Sequence, residues 1–114
     1  MHTSAKWRND LLLLFAIFLF ARCSTPAPEK IASKSYTVEI KQMKFVPAVV
    51  NAQKGDTVTW INRDIVNHDV TEVAAGAWTS GILPYGKSWS LVVSHSWDYY
   101  CSIHVVMIGK IKVE

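Results

Sequence analysis

From Ser35 onward the apolar residues of this chain recur at every second position, in short runs. In YTVEIK, Tyr36, Val38 and Ile40 alternate with Thr37, Glu39 and Lys41. A period of two sends successive side chains to opposite faces, so this run predicts a strand with one face buried. FVPAVVNAQKGDTVTWIN continues the pattern: a strand interrupted by Pro47, a turn at Lys54-Gly55-Asp56, then Val58 and Trp60 on one face. HDVTEV predicts a short strand. GILPYGKSWSLVV holds a turn around Pro84-Tyr85-Gly86 and then a strand, and SWDYYC gives another. GKIKVE closes the chain with Ile111 and Val113 inward and Lys110 and Lys112 outward.

Seven to eight short strands separated by turn residues, with no helical spacing among them, predict an all-β domain over residues 35–114. Such a pattern builds a Greek-key β-sandwich or a closed barrel. Trp60, Trp78, Trp89 and Trp97 are expected to supply much of its core, since each ring removes a large apolar area from water.

The start of the chain breaks this pattern. Lys6 and Arg8 precede Leu11 to Phe20, a run in which every residue is apolar. Spanning a bilayer takes ~20 apolar residues, twice the length available. A short basic stretch before a short apolar one is the pattern of a secretory signal, so residues 1–22 are expected to direct export. In LFARCSTPAPEK, Cys23 stands just past the apolar run. This resembles a bacterial lipoprotein signal, in which the cysteine is lipidated and becomes the first residue. That site normally has Gly, Ala or Ser before the cysteine and here has Arg22, so lipid anchoring and ordinary cleavage both stay open. Either way the mature protein is expected in the periplasm or on the outer side of a membrane. Residues 23–34, rich in small polar residues and proline, read as a tether.

Export alters the meaning of the charge. The whole chain carries 12 basic and 9 acidic residues, a net +3. Residues 1–22 hold Lys6, Arg8 and Arg22 against Asp10, leaving 9 basic and 8 acidic residues in 23–114. A balance near +1 gives no evidence of the broad basic surface of a nucleic-acid binder. Cysteine usage matters more. The chain has two cysteines, and if Cys23 is lipidated or removed, Cys101 has no disulfide partner. An unpaired thiol in an oxidising compartment needs something to hold it, and a metal ion is the usual holder.

YYCSIHVVM supplies the company for such an ion. Thiolate and thioether sulfur are soft ligands that suit copper, and imidazole suits copper as well. A mononuclear electron-transfer copper site takes two imidazoles, one thiolate and a weak axial ligand such as a thioether. Cys101, His104 and Met107 stand three residues apart, able to turn toward one point at a strand end. WINRDIVNHDVT offers the second imidazole in His68, 33 positions before the cysteine. Singly, Met107 would be core filler, His68 or His104 a structural histidine and Cys101 a small apolar residue. Together those readings leave the spacing and the lone exported thiol as coincidences. Copper is the expected ion, a different soft metal the alternative.

The chain from Tyr36 to Glu114 resembles the cupredoxins, the small blue-copper proteins, and most of all their amicyanin- and plastocyanin-like members. The residues that carry the resemblance are MKFVPAVVNAQKGDTVTWINRD, the Asn62-x-Asp64-x-x-x-His68 run, Trp78 to Gly81, and YYCSIHVVMIGKIKV. It implies a Greek-key sandwich with one copper ion near one end. His68, Cys101 and His104 would be strong ligands and Met107 the weak axial one. The implied role is one-electron carriage between redox partner proteins docking at the His104 edge, with Ile103, Val105 and Val106 as an apolar flank. By family position the Asp69 N–H would point at the Cys101 sulfur. The chain departs from the family pattern at Val105, often proline, and at Asp69, commonly Asn, Ser or Thr. It also departs in a shortened turn that contains His95, read here as exposed and outside the site. An enzyme would need further copper sites built from many histidines, and after export only His68, His95 and His104 remain. A periplasmic copper carrier or chaperone is the alternative function. The expected protein is a monomer, without nucleic acid and with membrane contact only through a lipid on Cys23.

Overall fold

The computed structural model describes Ala21 and residues 23–114. The expected export signal otherwise lies outside the described residues. Contacts divide the chain between Lys30 and Ile31. Before that division the described residues are exposed and without regular secondary structure.

Beyond it, alternation along each strand decides which side chains meet the core. In β1 (Ser35–Lys41) Val38 and Ile40 are buried, and in β4 (Thr57–Asn62) Val58, Trp60 and Asn62 are. The other strands are β2 (Lys44–Val46), β3 (Val49–Ala52), β5 (Thr71–Glu72), β6 (Ser88–Val92), β7 (Trp97–Tyr100) and β8 (Ile108–Val113). They form two four-stranded sheets, ordered β2-β1-β4-β6 and β3-β8-β7-β5. β1 pairs parallel with β4 and β3 with β8; every other pairing is antiparallel. The fold is an all-β sandwich of eight strands, with no helix among the described residues. Pro47, which cannot donate to a ladder, falls between β2 and β3 where the chain leaves one sheet for the other.

HDVTEV holds the short strand expected of it, confined to two residues. Only Thr71 and Glu72 pair in a ladder. His68 exchanges backbone bonds with Leu83 instead, its N–H donating to the Leu83 carbonyl at 3.2 Å and receiving at its own carbonyl at 2.7 Å. After Glu72 the chain turns because the buried Glu72 carboxylate accepts the N–H groups of Ala74, Ala75 and Ala77 at 2.7, 2.8 and 3.0 Å. The N–H groups of Ala77 and Ala75 hold this carboxyl below its ordinary value.

The tryptophans share the core unequally. Trp60 is fully buried and touches Trp78 and Trp89 at ring separations of 6.0 and 5.6 Å, whereas Trp78, Trp89 and Trp97 are half-buried around it. Tyr99 stands edge-on to Trp60 at 5.2 Å and to Phe45 at 4.9 Å. Burial pushes its hydroxyl up to about 12. Gly109 lies opposite Tyr99 across β7 and β8, and a β-carbon at position 109 would overlap the phenol ring. With Phe45 and Trp60 against it the ring cannot swing away. Gly109→Ala is therefore expected to cost about 1–3 kcal/mol by over-packing. Urea unfolding should show a lower midpoint at unchanged slope; an unchanged midpoint would mean the ring yields freely.

Candidate metal centre

Cys101 follows the last residue of β7 and Met107 precedes the first of β8, so the two ends of this loop are anchored by adjacent antiparallel strands. The Cys101 N–H donates to the Met107 carbonyl at 3.0 Å, closing the loop. Within it the Met107 N–H donates to the His104 carbonyl at 2.9 Å, a four-residue turn that folds His104 back over the loop. Val105 occupies the second position of that turn, where proline would also be at home. The loop thus buries Cys101 and Met107 and leaves His104 half-buried at the surface.

His68 comes from the loop after β4 and is held more firmly. Asn62 starts the support: its side-chain N–H groups donate to the carbonyls of Leu83 at 2.7 Å and Val66 at 2.8 Å, and its Oδ1 accepts the Asp64 N–H at 2.9 Å. That places the Asp64 carboxylate 2.9 Å from His68 Nε2. Asp64 also accepts the N–H groups of Gln42 and Met43 at 2.7 and 3.0 Å. These two residues turn β1 into β2 at positive φ, 52° and 60°. Burial raises the Asp64 carboxyl, but the N–H groups of Met43, His68 and Gln42 outweigh it and hold it below its ordinary value. With Nε2 donating its hydrogen to Asp64, Nδ1 is the nitrogen that His68 can offer to a metal on its other side.

That nitrogen meets two more lone-pair atoms. His68 Nδ1 lies 3.7 Å from Cys101 Sγ and 3.2 Å from His104 Nδ1, and His104 Nδ1 lies 3.8 Å from the sulfur. His68 and Cys101 are fully buried. A triangle of this size has a simple interpretation. Nitrogen ligands stand ~2.0 Å and sulfur ~2.3 Å from a common ion. At trigonal angles this puts the nitrogens about 3.5 Å apart and each about 3.7 Å from the sulfur. The residues fit a metal ion in a His, His, Cys plane. They are also the only group of three such ligands that converges among the described residues. Met107, buried beside Cys101 in the same loop, adds a thioether and completes the pattern of a type 1 copper site.

The Cys101 sulfur accepts the Asp69 N–H at 3.4 Å. The Asp69 carboxylate, 5% exposed, turns neither to water nor to Arg63. It accepts the Ser102 N–H at 2.7 Å, the Ser102 hydroxyl, and the Thr71 hydroxyl at 3.3 Å. Asp69 therefore clamps the His68 segment to the cysteine loop and leaves a carboxylate in a site where neutral groups are commoner. Negative charge favours Cu(II) over Cu(I). At an effective dielectric of ~20 and ~8 Å the interaction is about 2 kcal/mol, less where water screens it. Asp69→Asn, which keeps an acceptor for Ser102 and removes the charge, should raise the reduction potential by a few tenths of a kcal/mol or more on that scale. Voltammetry of both proteins in the same buffer checks this, and an unchanged or lower potential would contradict it.

His95 stays apart from the site. It is exposed in the turn before β7, its Nδ1 bonded to Ser94 Oγ at 2.8 Å and its ring against Trp97 at 5.3 Å. Sequence reasoning gave no role to Asp64, Asn62 or Ser102. The first two carried a readable signal, since an asparagine two positions before another turn residue is the spacing of a side-chain-capped turn. Ser102 carried none.

Comparison with known proteins agrees with this geometry. Residues 32–114 match the family of copper-binding proteins described as plastocyanin/azurin. Amicyanin from Paracoccus denitrificans is 33% identical over 94 residues, covering 77% of this chain and 72% of that protein. A solved amicyanin variant in its reduced Cu(I) form at pH 4 superimposes with a TM-score of 0.64 at 32% identity, covering 75% of this chain and 87% of that one. The copper-containing nitrite reductase of Thermus scotoductus superimposes with a TM-score of 0.65 at 24% identity. That match covers 70% of this chain and only 22% of the reductase, a likeness of fold alone.

Proposed function

Since the chain belongs to the plastocyanin/azurin family of copper-binding proteins, we propose that it carries single electrons between redox partner proteins of the cell envelope. His68, Cys101 and His104 would hold the copper strongly and Met107 weakly. Bound copper supplies the one-electron couple between Cu(I) and Cu(II). What the chain supplies is placement. The observation that carries the reading is the convergence of His68 Nδ1, His104 Nδ1 and Cys101 Sγ on one point, with His68 held by Asp64, the sulfur by the Asp69 N–H and the His104 backbone by the turn to Met107. Donors anchored this way move little when the charge between them changes, so little reorganisation opposes the transfer. His104 is the ligand that reaches the surface, and around it Ile103, Val105 and Val106 are exposed. A small apolar face of this kind suits a brief encounter, and redox contacts bury less area than most specific interfaces.

The reading makes the protein a carrier rather than an enzyme, acting as a monomer. Export is proposed along with this role, on the signal-like composition of residues 1–22 and on Cys23, exposed and unpaired at the start of the proposed tether 23–34. Controlled-potential reduction of the copper form tests the function. The visible band should bleach with one electron per protein and return on reoxidation over repeated cycles. Loss of copper on reduction would support a copper carrier or chaperone instead.

A further inference from the structure

The copper-binding end of the molecule has a charge pattern that its composition hides. Ile65, Val66, Ile82, Ile103, Val105 and Val106 are all exposed there, Ile65 at 91% and Val106 at 83%. Three exposed cations lie on the segments that carry or adjoin them. Lys44 shares a groove of about 210 Å³ with Val106 and Met107. Arg63 stands between Asn62 and Asp64, which support His68. The Lys87 carbonyl accepts the Asn62 N–H at 3.0 Å, which fixes Lys87 at the same end. None of the three has an ion-pair partner among the described residues, whereas Lys41 pairs with Glu39 at 3.7 Å and Lys110 with Asp98 at 3.3 Å. The acids of this end, Asp64 and Asp69, are turned inward, onto Gln42, Met43 and His68 and onto Ser102 and Thr71.

We infer that this end is a docking surface for a redox protein whose own apolar contact face is rimmed by carboxylates. The inference rests on the electron-carrier reading and adds the charge of the partner. Net charge near +1 over residues 23–114 would steer almost nothing, but three cations on the segments that carry or adjoin one apolar face create a local field. A face this small gains its selectivity and association rate from such a field more than from area. Two copies of this chain meeting face to face would bring six unpaired cations together, and a basic partner would be repelled likewise. An acidic rim is the complement.

Oxidation of the Cu(I) protein by hexacyanoferrate(III) is the test: one electron leaves the protein and reduces the iron to hexacyanoferrate(II). The rate constant should fall severalfold as ionic strength rises from ~0.01 M to ~0.15 M, because the Debye length contracts from about 30 to about 8 Å. With the cationic oxidant tris(phenanthroline)cobalt(III) it should rise. The combined variant Lys44→Gln, Arg63→Gln, Lys87→Gln should flatten both slopes while keeping the visible band. Lys54→Gln with Lys112→Gln, away from this end, should leave them unchanged. Poly-L-glutamate should slow the parent reaction and leave the triple variant untouched. Salt-independent rates, or slopes that survive the triple variant, overturn the acidic-partner inference while the carrier reading stands. A protein with no visible band and no reaction with either oxidant overturns both.

Discussion

Cys101→Ser is expected to abolish the intense visible absorption of the copper form entirely, with the sandwich still folded. Cys101 is fully buried, and its sulfur is the one atom in the triangle that touches both imidazole nitrogens and the Asp69 N–H. The colour of such a centre is charge transfer from thiolate to Cu(II), and a serine hydroxyl is neither soft nor ionised at neutral pH. The fold has less to lose. Val38, Ile40, Trp60, Val70, Tyr99 and Ile111 fill the core without the thiol. Serine is close to cysteine in size, and burying its hydroxyl costs about 1–3 kcal/mol, softened here because the Asp69 N–H still finds an acceptor. Absorption and circular dichroism of the same sample decide the matter. A surviving band would remove Cys101 from the ligand set, and a lost fold would make the loss of colour uninformative.

The second large effect is expected from a residue that touches no metal. Asp64 takes the Nε2 hydrogen of His68 and also the N–H groups of Gln42 and Met43. Asp64→Ala frees the imidazole to rotate or to move its hydrogen to Nδ1, the atom that faces Cys101. Replacing an outer partner of a ligating histidine typically costs 10–100-fold in metal affinity, and a loss of that size is expected here. The β1–β2 turn loses two acceptors at once, so the metal-free form should also be less stable. The two effects separate cleanly. Copper affinity comes from competition with a chelator, and turn stability from urea unfolding of the metal-free protein. Asp64→Asn should fall between, since an amide oxygen can still accept from the turn or the ring but not from all three donors. Unchanged copper affinity in Asp64→Ala would mean that packing alone orients His68.

The parts of this structure that were legible in the sequence are those that local spacing governs. Alternation in YTVEIK and TVTWIN marked β1 and β4 because one face of each strand is buried and the other is not. Three-residue steps from Cys101 to Met107 were legible as a ligand loop because the chemistry of sulfur and imidazole is written in residue identity. Strand partnership was not legible. The parallel pairings of β1 with β4 and β3 with β8 join segments far apart in the chain, and no local pattern names them. HDVTEV was legible as a short strand but its bounds were not, because local sequence cannot show that His68 answers to Leu83, or that Glu72 turns its own backbone. The direction of the Asp69 side chain depended on Ser102, whose hydroxyl means nothing until the two loops are side by side. Asp64 is the instructive miss, since its spacing was visible and its job, holding another residue's hydrogen, belongs to the folded state.

Titration of metal-free protein covering residues 24–114 with Cu(II), followed by absorption and metal analysis, bears most directly on the centre formed by His68, Cys101, His104 and Met107. The expected result is an intense band toward the red end of the visible spectrum that grows linearly and stops at one copper per protein. Saturation without that band, or growth past one equivalent, would contradict a mononuclear thiolate-copper centre and the electron carriage inferred from it.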